Sequence, residues 1–358
     1  MIDEAYKRLC EEMARRGGRY PGKDIPEFYA LVEELFTPAE ACIAAEMTSK
    51  TITAETIAQK LGKQTKDVAV VLEGMCDKSL CMSVNKEGTR FYIAVPFVPG
   101  IFEFQFARGK FTEKDRRIAR LIHAYKTAFD RMTPPPERAG FPKNRVVPIH
   151  ETIRAESKVH TFNQMNDYLE KADPIAVYTC FCRHEAKLLD EKDDCGMPME
   201  VCMLFGDGAR FFIDRGVARQ LTKEEAKQVL RTCAEAGLVH AGLNVQKLDF
   251  ICNCCSCHCM ILKDVLSQPK PGLALSSGYQ PQIDPEMCTG CETCIGRCPA
   301  RAMTLPENLP IIDPDRCFGC GVCAVGCPME AIVMTEKEEV PIPPVSRKEL
   351  QKALGSNY

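Results

Sequence analysis

The chain has 358 residues, a formal net charge of −3 and 22 cysteines. That near-neutral balance gives no overall pull toward nucleic acid or anionic lipid, and the absence of tryptophan argues against wide base-stacking surfaces. With 45% hydrophobic residues the chain can fill two or three ordinary cores.

The opening, Met1 to Glu12, is charged and helical and has no apolar leader. The longest apolar stretch, about Ile93 to Phe102, is interrupted by Pro96 and Pro99 and is too short to span a membrane. The thiols are therefore expected in reducing cytoplasm, as metal ligands or buried apolar fillers rather than disulfides.

Residues 1–36 read as one or two helices broken at Gly17-Gly18. Three further helices follow, at about 38–47, 53–61 with its stop at Gly62, and 65–78 with Val68, Val71, Leu72 and Met75 on one face. Two strand-like runs, 80–84 and 90–95, are joined by Asn85-Lys86-Glu87-Gly88. Three helices and a hairpin resemble a winged helix. Between Thr37 and Val95, however, seven Lys/Arg balance seven Asp/Glu. The would-be recognition helix carries Lys66 and Lys78 against Asp67, Glu73 and Asp77. A surface that neutralises phosphates needs a basic excess, so a docking or structural role is expected here rather than nucleic-acid binding.

Residues 106–132 read as one long amphipathic helix with Thr112 and Asp115 at its start, ended by Pro134-Pro135-Pro136. An extended linker reaches about Pro148. In the stretch 149–270 the clearest element is a helix over 221–236, with a Thr222/Glu225 capping box and Gly237 as its stop. Gln268 to Ser277, rich in Pro, Gly and Ser, reads as a boundary.

The last quarter holds Cys288-x-x-Cys291-x-x-Cys294-x-x-x-Cys298-Pro299 and then repeats it as Cys317-x-x-Cys320-x-x-Cys323-x-x-x-Cys327-Pro328. Ile283-Asp284-Pro285 recurs as Ile312-Asp313-Pro314 at the same offset, so 280–335 is a duplicated unit. Three cysteines in one tight loop reach three corners of a cubane, and the fourth ligand must come from elsewhere. Gly290 and Gly319 lie inside the loops, where backbone can approach the cluster. A structural zinc site takes four ligands, which suits eight cysteines in this doubled pattern poorly.

This region closely resembles bacterial two-cluster ferredoxins. The resemblance implies two [4Fe–4S] clusters, one on Cys288, Cys291, Cys294 and Cys327, the other on Cys317, Cys320, Cys323 and Cys298.

A second concentration comprises Cys180, Cys182, Cys195, Cys202, Cys252, Cys254, Cys255, Cys257 and Cys259, with His184 and His258 among them. Thiols this dense point to a metal. We read one further [4Fe–4S] cluster with ligands drawn from these cysteines. Structural zinc and redox-active thiols are the alternatives, and either histidine serves equally well as ligand or as neighbouring donor. Arg183 suits a role in offsetting cluster charge. Cys10, Cys42, Cys76, Cys81 and Cys233 read as ordinary buried thiols. His123, His150, His160 and His240 are isolated. There is no glycine-rich dinucleotide fingerprint and no P-loop.

With its CxCRH, CNCC-type run and terminal ferredoxin unit, the whole chain resembles multidomain ferredoxin-type proteins of anaerobic bacteria. The expectation is a cytoplasmic α+β protein: a winged-helix-like module within 1–105, a helix and linker over 106–148, a helical cysteine-rich domain over 149–270, a two-cluster ferredoxin domain over 280–335 and a tail over 336–358. Its expected role is to carry electrons to or from a partner oxidoreductase. The rivals are a reductase with its active site in 180–259, and a redox-responsive DNA-binding regulator.

Overall fold

A computed structural model describes residues 2–48, 50–133, 142–153, 165–190, 194–338 and 342–354. Pro134-Pro135-Pro136 and His160 lie outside the described residues. The chain is α+β and forms two compact units: 1–136 with 179–192 and 211–218, and 137–178 with 193–210 and 219–358.

The first unit opens with α1 (Glu4–Arg16) and α2 (Pro26–Leu35), separated where Gly17 and Gly18 take φ of 66° and 84°. Then come α3 (Pro38–Ala45), α4 (Ala54–Leu61) and α5 (Thr65–Asp77). Gly62 stops α4 in the left-handed region, which only glycine enters without steric cost. The hairpin β1 (Cys81–Lys86) and β2 (Thr89–Ala94) turns on Glu87 and Gly88, both at positive φ, as a tight two-residue hairpin turn requires. α6 (Ile101–Gln105) and α7 (Glu113–Met132) complete the run, and Phe28, Phe97, Phe102 and Tyr125 form a buried aromatic core.

The expected helix over 106–132 starts only at Glu113, and residues 106–112 lie outside helix. The chain leaves the helical region at Gly109, φ 61°, where a Cβ would lie 2.6 Å from Thr179 Oγ1. It re-enters helix at Thr112, whose hydroxyl accepts from Asp115 N–H while the Asp115 carboxylate accepts from Thr112 N–H.

The remaining elements are β3 (Asn144–Val146), α8 (Met165–Lys171), β4 (Ile175–Thr179), α9 (Phe181–Leu188), β5 (Glu200–Phe205), α10 (Gly206–Asp214), β6 (Arg219–Leu221), α11 (Lys223–Glu235), β7 (Val239–Leu243), β8 (Phe250–Cys254), α12 (Met260–Leu266), α13 (Pro271–Ala274), β9 (Tyr279–Ile283), α14 (Thr293–Arg297), β10 (Met303–Thr304), β11 (Ile311–Ile312), α15 (Val322–Val325), β12 (Ile332–Glu336) and α16 (Arg347–Leu354). A six-stranded sheet runs β3-β7-β8-β5-β4-β6. This corrects the reading of 149–270 as helical, since that stretch supplies five of the six strands. Both faces of the sheet are covered, so its strands lack the alternating pattern that marks a half-exposed strand. One face packs Met203, Phe205 and Ile251 against Ala226 and Leu230 of α11. The other packs Val239, Ala241 and Cys254 against Leu262 and Val265 of α12. α11 itself follows the sequence closely, with the Thr222/Glu225 capping box at its start and Gly237 at φ 84° after its end.

Candidate metal centres

The duplicated C-terminal unit is closed by β9 pairing antiparallel with β12, Ile283 opposite Ile332. In each repeat a cysteine loop leads into a short helix, α14 or α15, through a residue at positive φ: Glu292 in one and Gly321 in the other. The loops wall two cavities. One is lined by Cys288, Cys291, Cys294 and Cys327. The other is lined by Cys298, Cys317, Cys320 and Cys323. The fourth cysteine of each run therefore faces the cavity of the other run. Four thiols lining each cavity, one for each iron, are the donor set a [4Fe–4S] cluster takes.

The electrostatics differ between the two. Burial pushes the Cys320 thiol up to about 12, with the neighbouring Cys298 and Cys317 adding to it and the Val322 N–H opposing. Burial likewise raises Cys317, against a hydrogen bond from Gly319 N–H. Such thiols lose their protons when a cation takes the protons' place. Cys291 is exposed, and hydrogen bonding from Thr293 lowers its pKa. Ala302 N–H donates to Cys298 Sγ at 3.3 Å.

Gly319 is fixed by its protein surroundings. At φ 70°, a Cβ there would sit 2.0 Å from the Tyr279 carbonyl oxygen and 2.5 Å from Ser277 Oγ. Ser277 holds this approach together by donating to Gly319 O at 2.6 Å and accepting from Tyr279 N–H at 3.1 Å.

The middle cysteines do not form one group. On β8, Cys252 and Cys254 share a face because side chains alternate along a strand. Cys254 interacts with the thiols of Cys252 and Cys259, and these neighbours together with burial drive its pKa far up. The β5–β8 register, Met203 opposite Ile251, carried on by one residue sets Cys202 opposite Cys252 on that same face. Cys252, Cys254 and Cys259 also share an apolar cluster with Cys298, Cys317, Cys320 and the buried ring of Phe318. Beyond the strand end, Cys255, Cys257, His258 and Cys195 offer four ligand atoms that all lie within 4.8 Å of one another. Burial pushes Cys257 up to about 12, with Cys255 and Cys195 as its hydrogen-bonding neighbours.

Cys180 and Cys182 belong to the first unit, Cys180 as the N-cap of α9. His184 on that helix bonds the Lys110 carbonyl through Nε2 at 2.8 Å and packs on Phe106 and Phe111. Burial holds its pKa below the ordinary histidine value. Arg183 is buried. Cys10, Cys76, Cys81 and Cys233 are buried and Cys42 is partly so; the sulfurs of Cys76 and Cys81 lie 3.5 Å apart.

Sequence spacing did not reveal Phe318, Ser277 or Arg297, which brace the cysteine loops. Arg297 Nη2 donates to the carbonyls of Ala234 and Glu235 at 3.1 and 3.0 Å, at the end of α11. The division of the middle thiols was legible in part, because Cys252-x-Cys254 alternates as a strand does and Cys255 breaks the alternation.

Residues 287–332 match the family model of the 4Fe-4S dicluster domain. No curated protein and no solved structure matches the chain. No helix among the described residues is long and apolar enough to cross a membrane.

Proposed function

We propose that this chain is a cytoplasmic electron carrier serving a partner oxidoreductase, with two ferredoxin cubanes and one more in the middle region. The C-terminal region is of the 4Fe–4S ferredoxin type, and with the other cysteines it gives the protein an iron–sulfur electron-transfer role. The ligand sets are Cys288, Cys291, Cys294 and Cys327, then Cys298, Cys317, Cys320 and Cys323, and for the third cluster Cys202, Cys252, Cys254 and Cys259. The observation that carries the reading is the pair of four-thiol cavities, each completed by a cysteine of the other run. The third set is supported by the shared apolar cluster that joins Cys252, Cys254 and Cys259 to the second cavity's cysteines. A docked partner would meet the first cavity, where Cys291 is exposed and Met329 is 42% exposed.

The regulator reading is disfavoured by one arginine. Arg90, on the hairpin that would be the wing, binds Glu73 of α5 through Nε and Nη2 at 3.1 and 3.2 Å, so its charge is spent within the protein.

The test is iron and acid-labile sulfide per chain on anaerobically purified protein, with dithionite reduction followed by electron paramagnetic resonance. About twelve iron and twelve sulfide supports three cubanes, whereas about eight of each removes the third. A protein whose iron cannot be reduced and reoxidised by any ferredoxin-coupled oxidoreductase is not a carrier.

A further inference from the structure

We propose that Cys195, Cys255, Cys257 and His258 bind a single zinc ion, in a site separate from every iron–sulfur cluster. The argument is one of size. With Zn–S bonds of about 2.3 Å, the sulfurs of a tetrahedral site stand roughly 3.8 Å apart. Here all four ligand atoms already lie within 4.8 Å of one another. In a cubane each thiolate sits on a different iron with sulfide between, which holds the four thiolates farther apart than the edge of a single-ion tetrahedron. The small span therefore suits one ion and no sulfide.

The donor set fits that ion. Three thiolates and one neutral imidazole make a closed Cys3His set, a usual set for structural zinc, and borderline-soft zinc accepts both donor types. Binding replaces three thiol protons by the dication and leaves the site with one net negative charge. No electron moves.

Local structure explains why these four separate from their neighbours. Cys252 and Cys254 face the α12 side of the sheet because they lie two apart on β8. The strand ends at Cys254. Cys255, Cys257 and His258 follow in the turn before α12, where alternation no longer applies, and converge on Cys195. Cys195 stands five residues before β5, the strand paired with β8. The ion would thus tie the approach to β5 to the exit from β8, clamping the strand pair that carries Cys202, Cys252 and Cys254. This site does not depend on the third-cluster reading, because zinc and sulfide are counted separately.

The experiment uses the full chain, purified anaerobically from cells supplied with both iron and zinc. Expected are about one zinc per chain and, at the zinc absorption edge, a shell of three sulfurs and one nitrogen with no iron neighbour. Replacing the zinc with cobalt(II) should give the visible bands of a tetrahedral thiolate site in the otherwise unaltered protein. Cys257→Ser and His258→Ala should lose most of the zinc while sulfide per chain is unchanged. His258→Cys should keep the metal and change the shell to four sulfurs, which guards against reading a folding defect as a lost ligand. Two results overturn the proposal. One is a zinc-free protein in which Cys257→Ser removes about four iron and four sulfide, which assigns these residues to a cubane. The other is zinc that stays bound, with an unchanged shell, in all three variants.

Discussion

Arg297 is the place where packing around the cysteine loops can be weighed. Its Nη2 binds two carbonyls at the C-terminal end of α11, and its Nε lies 3.4 Å from the Val322 carbonyl on α15. One cation thus ties the end of α11 to α15, the helix that follows a cysteine loop. A hydrogen bond to a charged group contributes about 1.5–3 kcal/mol. A cation at a helix C-terminus adds about 0.3–1 kcal/mol. Because the Glu235 contact is open to water, a total near 2 kcal/mol is the reasonable figure. Arg297→Met keeps most of the stem and removes these bonds. For a unit of this size each kcal/mol shifts Tm by about 2–4 °C, so the loss should be about 4–8 °C.

A second variant should reach the same energy by another route. A Cβ at Gly326 would lie 2.0 Å from Arg297 Nε and 2.1 Å from Cδ, so Gly326→Ala must push the side chain off its carbonyls. The assay is anaerobic thermal unfolding, read by circular dichroism and by visible absorbance, of both single variants and the double variant. The double should lose little more than either single, because both break one interaction. A shift under 1 °C for Arg297→Met, or fully additive losses, refutes the reasoning.

Other outcomes follow from the same geometry. Gly319→Ala forces a Cβ against backbone at a φ that costs a non-glycine residue about 1–2 kcal/mol, and it should lower both Tm and iron content. Gly296→Ala, with open space around its Cβ, should leave both unchanged; similar iron loss in the two would show that the Tyr279 contact is irrelevant. Leu262→Ala, emptying a fully buried site beside Cys254 and Cys259, should cost about 2–5 kcal/mol by urea titration, and a cost below 1 would mean the cluster is not packed as described. Arg215→Ala removes a side chain that pairs with the carboxylates of Glu73 and Asp77, at a cost of about 1.5–3 kcal/mol. Burial pushes the Glu73 carboxyl up, but hydrogen bonds from Arg90, Tyr92 and Arg215 outweigh it and leave the pKa below the ordinary value. A depressed carboxylate contributes its full stability above its unfolded pKa and loses it only as pH falls through the folded one. The Arg215→Ala penalty should therefore be the same at pH 8 and pH 6; a penalty that fades over that range would contradict the shift.

What the sequence disclosed depended on whether a signal was local. Gly17-Gly18, Gly62 and the Thr222/Glu225 box are local instructions to a few backbone groups, and the helices begin and end beside them. The doubled cysteine run is nearly local too, since its spacing is written within each short loop. The middle sheet was not legible, because strands covered on both faces show no alternation and β3 and β7 meet across about 100 residues of chain. The grouping of Cys195 with Cys255, Cys257 and His258 is equally non-local. It depends on the β5–β8 pairing, which nothing in either segment announces alone.

The two cavities of the repeat are alike in ligands and unlike in surroundings, and this bears on reduction potential. One is lined by Phe318, Ala300, Ala302 and Met334, all at most 2% exposed. The other opens at Cys291, Glu292 and Thr293. Reducing an anionic cluster adds negative charge, which an apolar shell disfavours and water relieves. Were each cavity to hold a [4Fe–4S] cluster, the one walled by apolar side chains would be the harder of the two to reduce, and an added electron would rest at the open end. Two like sets of four thiols thus stand in unlike shells, one apolar and one open to water.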